Sequence, residues 1–283
     1  MRLGLLSTAR INEKLAAGAK LVDEVELSAI ASRDLARAQA QAAELGVERA
    51  HGSYEELLAD PDVDAVYIAL PNAMHAAWAL KALTAGKHVL CEKPLTLSAA
   101  DTVTLYETAK AVDRHLGEAF MWPHHPRSQR LRELVAKGDL GPLVGHQATF
   151  TFALDRPTDH RFDARGGGAL LDGGIYCVGP ALCLTDAEPA EVAARAAHNT
   201  AGVDVAMDGW VALGTWGASF TVSMVAPGRR NQTVICRDGV VVVDNHFPGP
   251  ERPGVLTVVR ADGSRDEVAQ PLRPRVVGPH EGL

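Results

Sequence analysis

No apolar run in this chain is long enough to cross a bilayer, so a membrane-spanning helix is not expected. A secretory leader is not expected either: Arg2-Leu3-Gly4-Leu5-Leu6 reads as a strand, without a leader's basic and apolar regions, and the expected compartment is the cytoplasm. Positive charge is in deficit. The net charge of −7 is spread along the chain, which leaves no electrostatic footprint for nucleic acid and reserves the basic residues for a smaller anion. The four cysteines, Cys91, Cys177, Cys183 and Cys236, lack any CxxC or other metal spacing and read as reduced core residues. Among eleven histidines the adjacent pair His124-His125 stands out, but neighbours on a helix or strand point apart, so no metal is expected. What the chain has is core. Hydrophobic residues make up 47% and charged residues 22% of 283, enough for two domains of ordinary size.

The most informative stretch is Gly86-Lys87-His88-Val89-Leu90-Cys91-Glu92-Lys93-Pro94-Leu95. Lys87 to Cys91 is β-prone, bounded by Gly86 and Pro94, and lies within an alternating βα pattern, so it reads as an interior strand of a parallel sheet. Open parallel sheets bind ligands beyond the carboxyl ends of their strands. Lys93 lies two residues past such an end, with Glu92 to hold it and Pro94 to fix the loop; the alternative is an ordinary surface lysine. The same ten residues resemble the signature of the Gfo/Idh/MocA family of nicotinamide-dependent oxidoreductases, and the resemblance implies that Lys93 is catalytic.

The flanking pattern is consistent with a dinucleotide-binding unit. Arg2–Leu6 reads as a strand and Ile11 to Val22 as a helix, which makes Ser7-Thr8-Ala9-Arg10 a tight turn at a helix N-terminus, a phosphate site by geometry with Ile11 as its first helical residue and a further candidate cofactor contact. The glycine fingerprint is degraded, because the family usually has Gly where Ser7 stands and often where Ala9 stands. A second strand, Val25 to Ala31, ends in Ser32-Arg33. A hydroxyl beside an arginine suits the 2′-phosphate of NADP, whereas an acidic residue would suit NAD, so NADP(H) is the preferred cofactor and NAD(H) the alternative. Arg33 could instead solvate a helix start capped by Asp34. Further elements follow: a helix from Ser53 to Leu58, a strand from Asp64 to Leu70, a helix to Ala85, another to about Val112, and a strand from His115 to Ala119. The loop Leu70-Pro71-Asn72-Ala73-Met74-His75 also resembles the family, and the resemblance makes Leu70, Asn72, His75 and Glu92 cofactor contacts; His75 could otherwise be a capping or partly buried residue.

Beyond Glu118-Ala119-Phe120-Met121-Trp122-Pro123 the pattern changes. The family commonly has an aromatic and an arginine after the methionine; Trp122 keeps the aromatic, as a substrate contact or a junction anchor, and Pro123 replaces the arginine. A helix from Ser128 to Lys137 precedes β-prone segments that suit an open, mainly antiparallel sheet, beginning at Leu143 to Leu154. Between them Gly166-Gly167-Gly168-Ala169-Leu170-Leu171-Asp172-Gly173-Gly174-Ile175-Tyr176 puts a carboxylate and a phenol four apart, on one face if the segment is helical. Tyr176 could equally be a core residue. A dihydrodiol and xylose dehydrogenase-like branch of the family carries Asp and Tyr here, which implies that Asp172 and Tyr176 join Lys93. Oxidising a carbinol also removes its hydroxyl proton, and a phenol beside an ammonium can take it. His160 and Arg161, ahead of this segment, are candidate substrate contacts.

The expected protein is thus an α/β Rossmann domain, residues 1–120, followed by an α+β substrate and oligomerisation domain, residues 121–283, with the site between them and the family's C-terminal helix missing. It would transfer a hydride between NADP(H) and a secondary alcohol or carbonyl of a sugar, cyclitol or dihydrodiol. A homo-oligomer, dimer or tetramer, would form through an exposed hydrophobic sheet face. Two rivals remain: a relative that retains its nicotinamide for epimerisation or glycosidic cleavage, which release of reduced cofactor would exclude, and a non-catalytic NADP-binding sensor, which would need no proton-handling residues.

Overall fold

The computed structural model describes residues 1–156, 158–245 and 254–269; the chain's last fourteen residues, where a terminal helix was expected to be missing, lie outside the described residues. Two compact units meet in sequence at Phe120 and Met121.

The first unit alternates strands and helices: β1 Arg2–Leu6, α1 Asn12–Ala19, β2 Glu26–Ala31, α2 Leu35–Leu45, β3 Arg49–His51, α3 Tyr54–Ala59, β4 Ala65–Ile68, α4 Asn72–Thr84, β5 His88–Glu92, α5 Ala99–Ala111 and β6 Leu116–Ala119. The six strands form a parallel sheet in the order β3-β2-β1-β4-β5-β6. That is the doubly wound dinucleotide-binding order, with its crevice at the carboxyl ends. Strands covered on both faces need continuous apolar runs, and Ala65-Val66-Tyr67-Ile68 is buried throughout. Helix starts are set by short polar side chains: Asp34, Ser53 and Ser98 each accept from backbone N–H groups in the turn that follows. The three-residue β3 was not foreseen. It is too short for a periodicity signal and exists because it pairs with β2.

The second unit comprises α6 Pro126–Lys137, β7 Leu143–Ala153, a π-helical turn Leu170–Gly174 continuing into α7 Ile175–Leu182, and then β8 Pro189–His198, β9 Asp204–Leu213, β10 Trp216–Ser223, β11 Val225–Cys236, β12 Gly239–Val243, β13 Val255–Arg260 and β14 Arg265–Ala269. The eight strands lie in the order β14-β13-β12-β11-β7-β10-β9-β8. Every pair is antiparallel except β7 with β10. The alanine-rich β8 would favour a helix by propensity, and its ladder to β9 overrides that.

Alternation assigns the faces of this sheet. Ala148, Phe150, Ala218, Phe220 and Val222 are buried in one cluster with Cys177 and Ala181 of α7. Burial pushes the Cys177 thiol up to about 12. On the opposite side Gln147, Thr149, Ser219, Thr221, Arg229 and Asn231 help to line a concavity of about 430 Å³. The centre of that face is therefore polar, which corrects the expectation of an exposed hydrophobic one.

The π-helical turn lies hard against the sheet at Gly173. A Cβ there would stand 2.8 Å from Val222 Cγ2 and 2.9 Å from Phe150 Cδ1. In an ordinary helix interior Gly→Ala stabilises by up to about 1 kcal/mol, but here overpacking decides the sign. Gly173→Ala is expected to destabilise the protein by about 1–3 kcal/mol in denaturant unfolding, whereas the uncrowded Gly18→Ala in α1 is expected not to.

Candidate active site

Register alone gathers most of the expected cofactor residues onto one edge. Leu6 pairs with Ala31 and with Ile68, and Ile68 pairs with Cys91, so the residues following β1, β2, β4 and β5 leave the sheet side by side. These are Ser7 to Ile11, Ser32-Arg33, Leu70 to Asn72, and Lys93 after Glu92.

The turn after β1 replaces glycine with a brace. Ser7 is buried, and its Oγ accepts from the Ala9 N–H at 3.3 Å. The fully buried Asn12 donates through Nδ2 to the Ser7 carbonyl and to Gln41 Oε1, both at 2.9 Å, and Gln41 Nε2 donates to the Ala9 carbonyl at 3.3 Å. Thr8 and Ala9 are half-buried, Arg10 and Ile11 exposed. Among the described residues, the N–H groups of Arg10 and Ile11 donate to no protein acceptor. Free amides at the start of a helix form an anion cradle. At the end of β2 Ser32 is buried, its Oγ accepting from the Asp34 N–H at 3.3 Å, while Arg33 is exposed and makes no ion pair among the described residues. This donor set suits a phosphorylated dinucleotide. Asn12 and Gln41 escaped the sequence reading, since nothing in their spacing marks a side-chain brace.

The Lys93 loop is gripped from three sides. Glu92 Oε1 accepts from the Tyr67 hydroxyl at 2.6 Å, and Oε2 from the Lys93 N–H at 3.2 Å. The Leu95 N–H donates to Glu118 Oε1 at 2.8 Å. His75, fully buried, lies with Nδ1 2.7 Å from the Pro94 carbonyl and Nε2 2.7 Å from the Leu70 carbonyl. Both ring nitrogens thus face the protein's own backbone. Glu92 likewise bonds within the protein, and Lys93 and Asn72 are half-buried. Tyr67 and Glu118 were missed, one inside an apolar strand and the other on a short one.

In the second unit Asp172 lies in the π-helical turn, not in a continuous α-helix as expected, and Tyr176 in the first turn of α7. Asp172 Oδ2 accepts from Arg161 Nε at 2.8 Å, and Arg161 Nη1 also reaches Asp159 at 3.2 Å. Burial works against the Arg161 charge, but Asp172 and Asp159 outweigh it and hold the guanidinium above its usual range. Arg161, expected to face substrate, thus has a carboxylate on each side. The neighbouring His160 is exposed, 3.4 Å from Asp159. The Tyr176 ring stacks on Phe150 with centroids 5.0 Å apart and planes at 22°. Trp122 is buried at 2% exposure. His125 caps α6, its Nδ1 accepting from the Arg127 N–H at 3.1 Å.

Comparison with known proteins adds the following. A family model described as the oxidoreductase family with an NAD-binding Rossmann fold matches residues 2–120, and one described as the GFO/IDH/MocA C-terminal domain matches residues 128–242. The chain is 44% identical over 211 residues to D-xylose 1-dehydrogenase (NADP(+)) 2 of Haloferax volcanii, a match that covers 74% of this chain and 65% of that protein. It is 36% identical over 261 residues to dTDP-3,4-didehydro-2,6-dideoxy-alpha-D-glucose 3-reductase of Saccharopolyspora spinosa, covering 90% and 77% respectively. The crystal structure of KijD10, a 3-ketoreductase from Actinomadura kijaniata, in complex with NADP and TDP-benzene, superposes with a TM-score of 0.87 at 31% identity, covering 96% of this chain and 84% of that one.

The Asp159–Arg161–Asp172 triad has a pH signature. Burial alone would raise the Asp159 pKa, but the Arg161 backbone and guanidinium hold it below the ordinary value. A depressed carboxyl stabilises the fold fully above its unfolded pKa and loses that contribution as pH falls through the folded one. Arg161→Gln is therefore expected to cost about 1–3 kcal/mol near neutral pH, with the difference from wild type shrinking as pH falls below the ordinary carboxylate range. Denaturant midpoints across that range test it.

Proposed function

The chain belongs to the GFO/IDH/MocA oxidoreductase family, and from that premise we propose that it is an NADP(H)-dependent oxidoreductase acting on a secondary alcohol or carbonyl of a sugar-like substrate. The Ser7–Ile11 turn would hold the pyrophosphate on the free amides of Arg10 and Ile11, and Ser32 with Arg33 would take the 2′-phosphate. When bound, the nicotinamide supplies the hydride acceptor or donor. Everything else falls to side chains. Tyr176 takes the hydroxyl proton when an alcohol is oxidised and returns it when a carbonyl is reduced. The Lys93 ammonium would stabilise the developing charge on the substrate oxygen. Asp172, fixed by Arg161, orients the substrate hydroxyl.

The observation that best supports this reading is the grip on the Lys93 loop. A lysine side chain is flexible, and three backbone-directed contacts from Glu92, His75 and Glu118 leave only that side chain to order. Relatives named for sugars stand at 36–44% identity and those named for a dihydrodiol at 34–35%, which favours a polyol.

Two measurements test the proposal. In steady-state assays of NADP reduction with D-xylose and other aldoses, Lys93→Met and Tyr176→Phe are each expected to lower kcat by about 10²–10⁴-fold while cofactor binding persists; unaltered turnover in either variant would remove that residue from the chemistry. For cofactor choice, Arg33→Ala is expected to weaken NADP about tenfold or more, the scale of a lost charged hydrogen bond, while changing NAD little. Equal losses for both dinucleotides in fluorescence titration would refute the role given to Arg33.

A further inference from the structure

One guanidinium near Tyr176 has no task in the proposed chemistry. Arg230 of β11 pairs in register with Phe150 of β7, which places both on the sheet face that carries α7. Its Cζ is 5.2 Å from the Phe150 ring centroid, and Tyr176 stacks on that same ring at 5.0 Å. Phe150 therefore links a phenol and a cation. Arg230 is exposed, and among the described residues its side chain makes no hydrogen bond or ion pair. The other arginines of the region are engaged: Arg161 by Asp159 and Asp172, Arg165 by Asp163, while Arg229 faces the opposite side and bonds Asn231 Oδ1 at 3.2 Å.

We infer that Arg230 is a specificity-determining residue that selects substrates whose sugar carries a phosphate ester, as a sugar phosphate or as a nucleoside diphosphate sugar. A neutral polyol offers a guanidinium only uncharged hydroxyl acceptors. A phosphate presents charged, paired oxygens that match its fork, and the Phe150 ring lies beside that fork. The inference rests on the placement of substrate beside Tyr176 proposed above, and it narrows that substrate from sugar-like to anionic sugar.

The test reads binding, so that it is separable from turnover. Full-length protein saturated with NADP is titrated calorimetrically with D-glucose, D-glucose 6-phosphate, dTDP and dTDP-D-glucose, using wild type, Arg230→Gln and Arg230→Lys. Wild type is expected to bind at least one phosphorylated probe about tenfold or more tightly than D-glucose, and Arg230→Gln to erase that preference, with partial recovery in Arg230→Lys. Which probe is preferred separates a monoester from a diphosphate. Rising salt weakens the phosphorylated probe in wild type and does so less in Arg230→Gln. Because Arg230 is exposed, unchanged thermal melting of the variants checks that the fold is intact. A wild type that shows no preference for phosphate, or an Arg230→Gln variant that keeps it, overturns the inference. Tyr176→Phe is the separating control: preferential phosphate binding that persists without turnover in any variant supports Arg230 and defeats the oxidoreductase reading instead.

Discussion

The first unit depends on the placement of one buried ring. His75 stands on α4, yet its two nitrogens lie 2.7 Å from carbonyls on different loops, Leu70 after β4 and Pro94 after β5. Loops at the end of a parallel sheet have no ladder of their own, and a buried carbonyl left without a donor costs about 1–3 kcal/mol. The one N–H of a neutral imidazole removes that cost for one of the two carbonyls, whichever tautomer is present, and the ring packs between both loops. The expected cofactor segment at Leu70 to Asn72 and the lysine loop are thereby tied to the same buried side chain. Glu118 grips the far side of the lysine loop through the Leu95 amide, and Tyr67 holds Glu92 from within the sheet. Order at the carboxyl edge thus originates in the buried interior of the unit.

The same economy explains the turn after β1. A glycine-rich fingerprint lets the backbone approach a pyrophosphate because no side chain stands in the way. Here Ser7 turns inward and is buried, so its side chain leaves the approach clear, and Asn12 with Gln41 fixes the carbonyls that a tight glycine turn would fix by conformation alone. In place of the glycines stands a hydrogen-bonded brace between α1 and α2. A degraded motif is therefore weak evidence against a site when the replacements are small, polar and buried.

What was legible in the sequence follows from this physics. The βα alternation of the first unit and the doubly wound fold could be read because buried parallel strands are continuous apolar runs. The change to a mainly antiparallel sheet was legible from alternation, though the parallel β7–β10 pair was not, since period two carries no direction. Side-chain partners were the least visible. His75 reads as a cofactor contact only through the family resemblance, and the fold shows that both nitrogens face the backbone. Asp172 and Tyr176 are four apart in sequence, but a wider turn runs over Leu170–Gly174, where Gly173 lies too close to Val222 and Phe150 to carry a Cβ, a tertiary proximity that no local pattern encodes.

That contact also shows how the second unit can diversify. Phe150 supports Tyr176, limits the space at Gly173 and bears the Arg230 guanidinium. Changing Phe150 would disturb all three at once, so it is constrained by packing as much as by chemistry. Arg230 is constrained by neither: it is exposed and lies at a strand position whose neighbours hold the ladder without it. A substitution there leaves the phenol, the π-helical turn and the core where they are. On this face the side chains that pack against the sheet are buried and Arg230 is exposed, so the two can change independently.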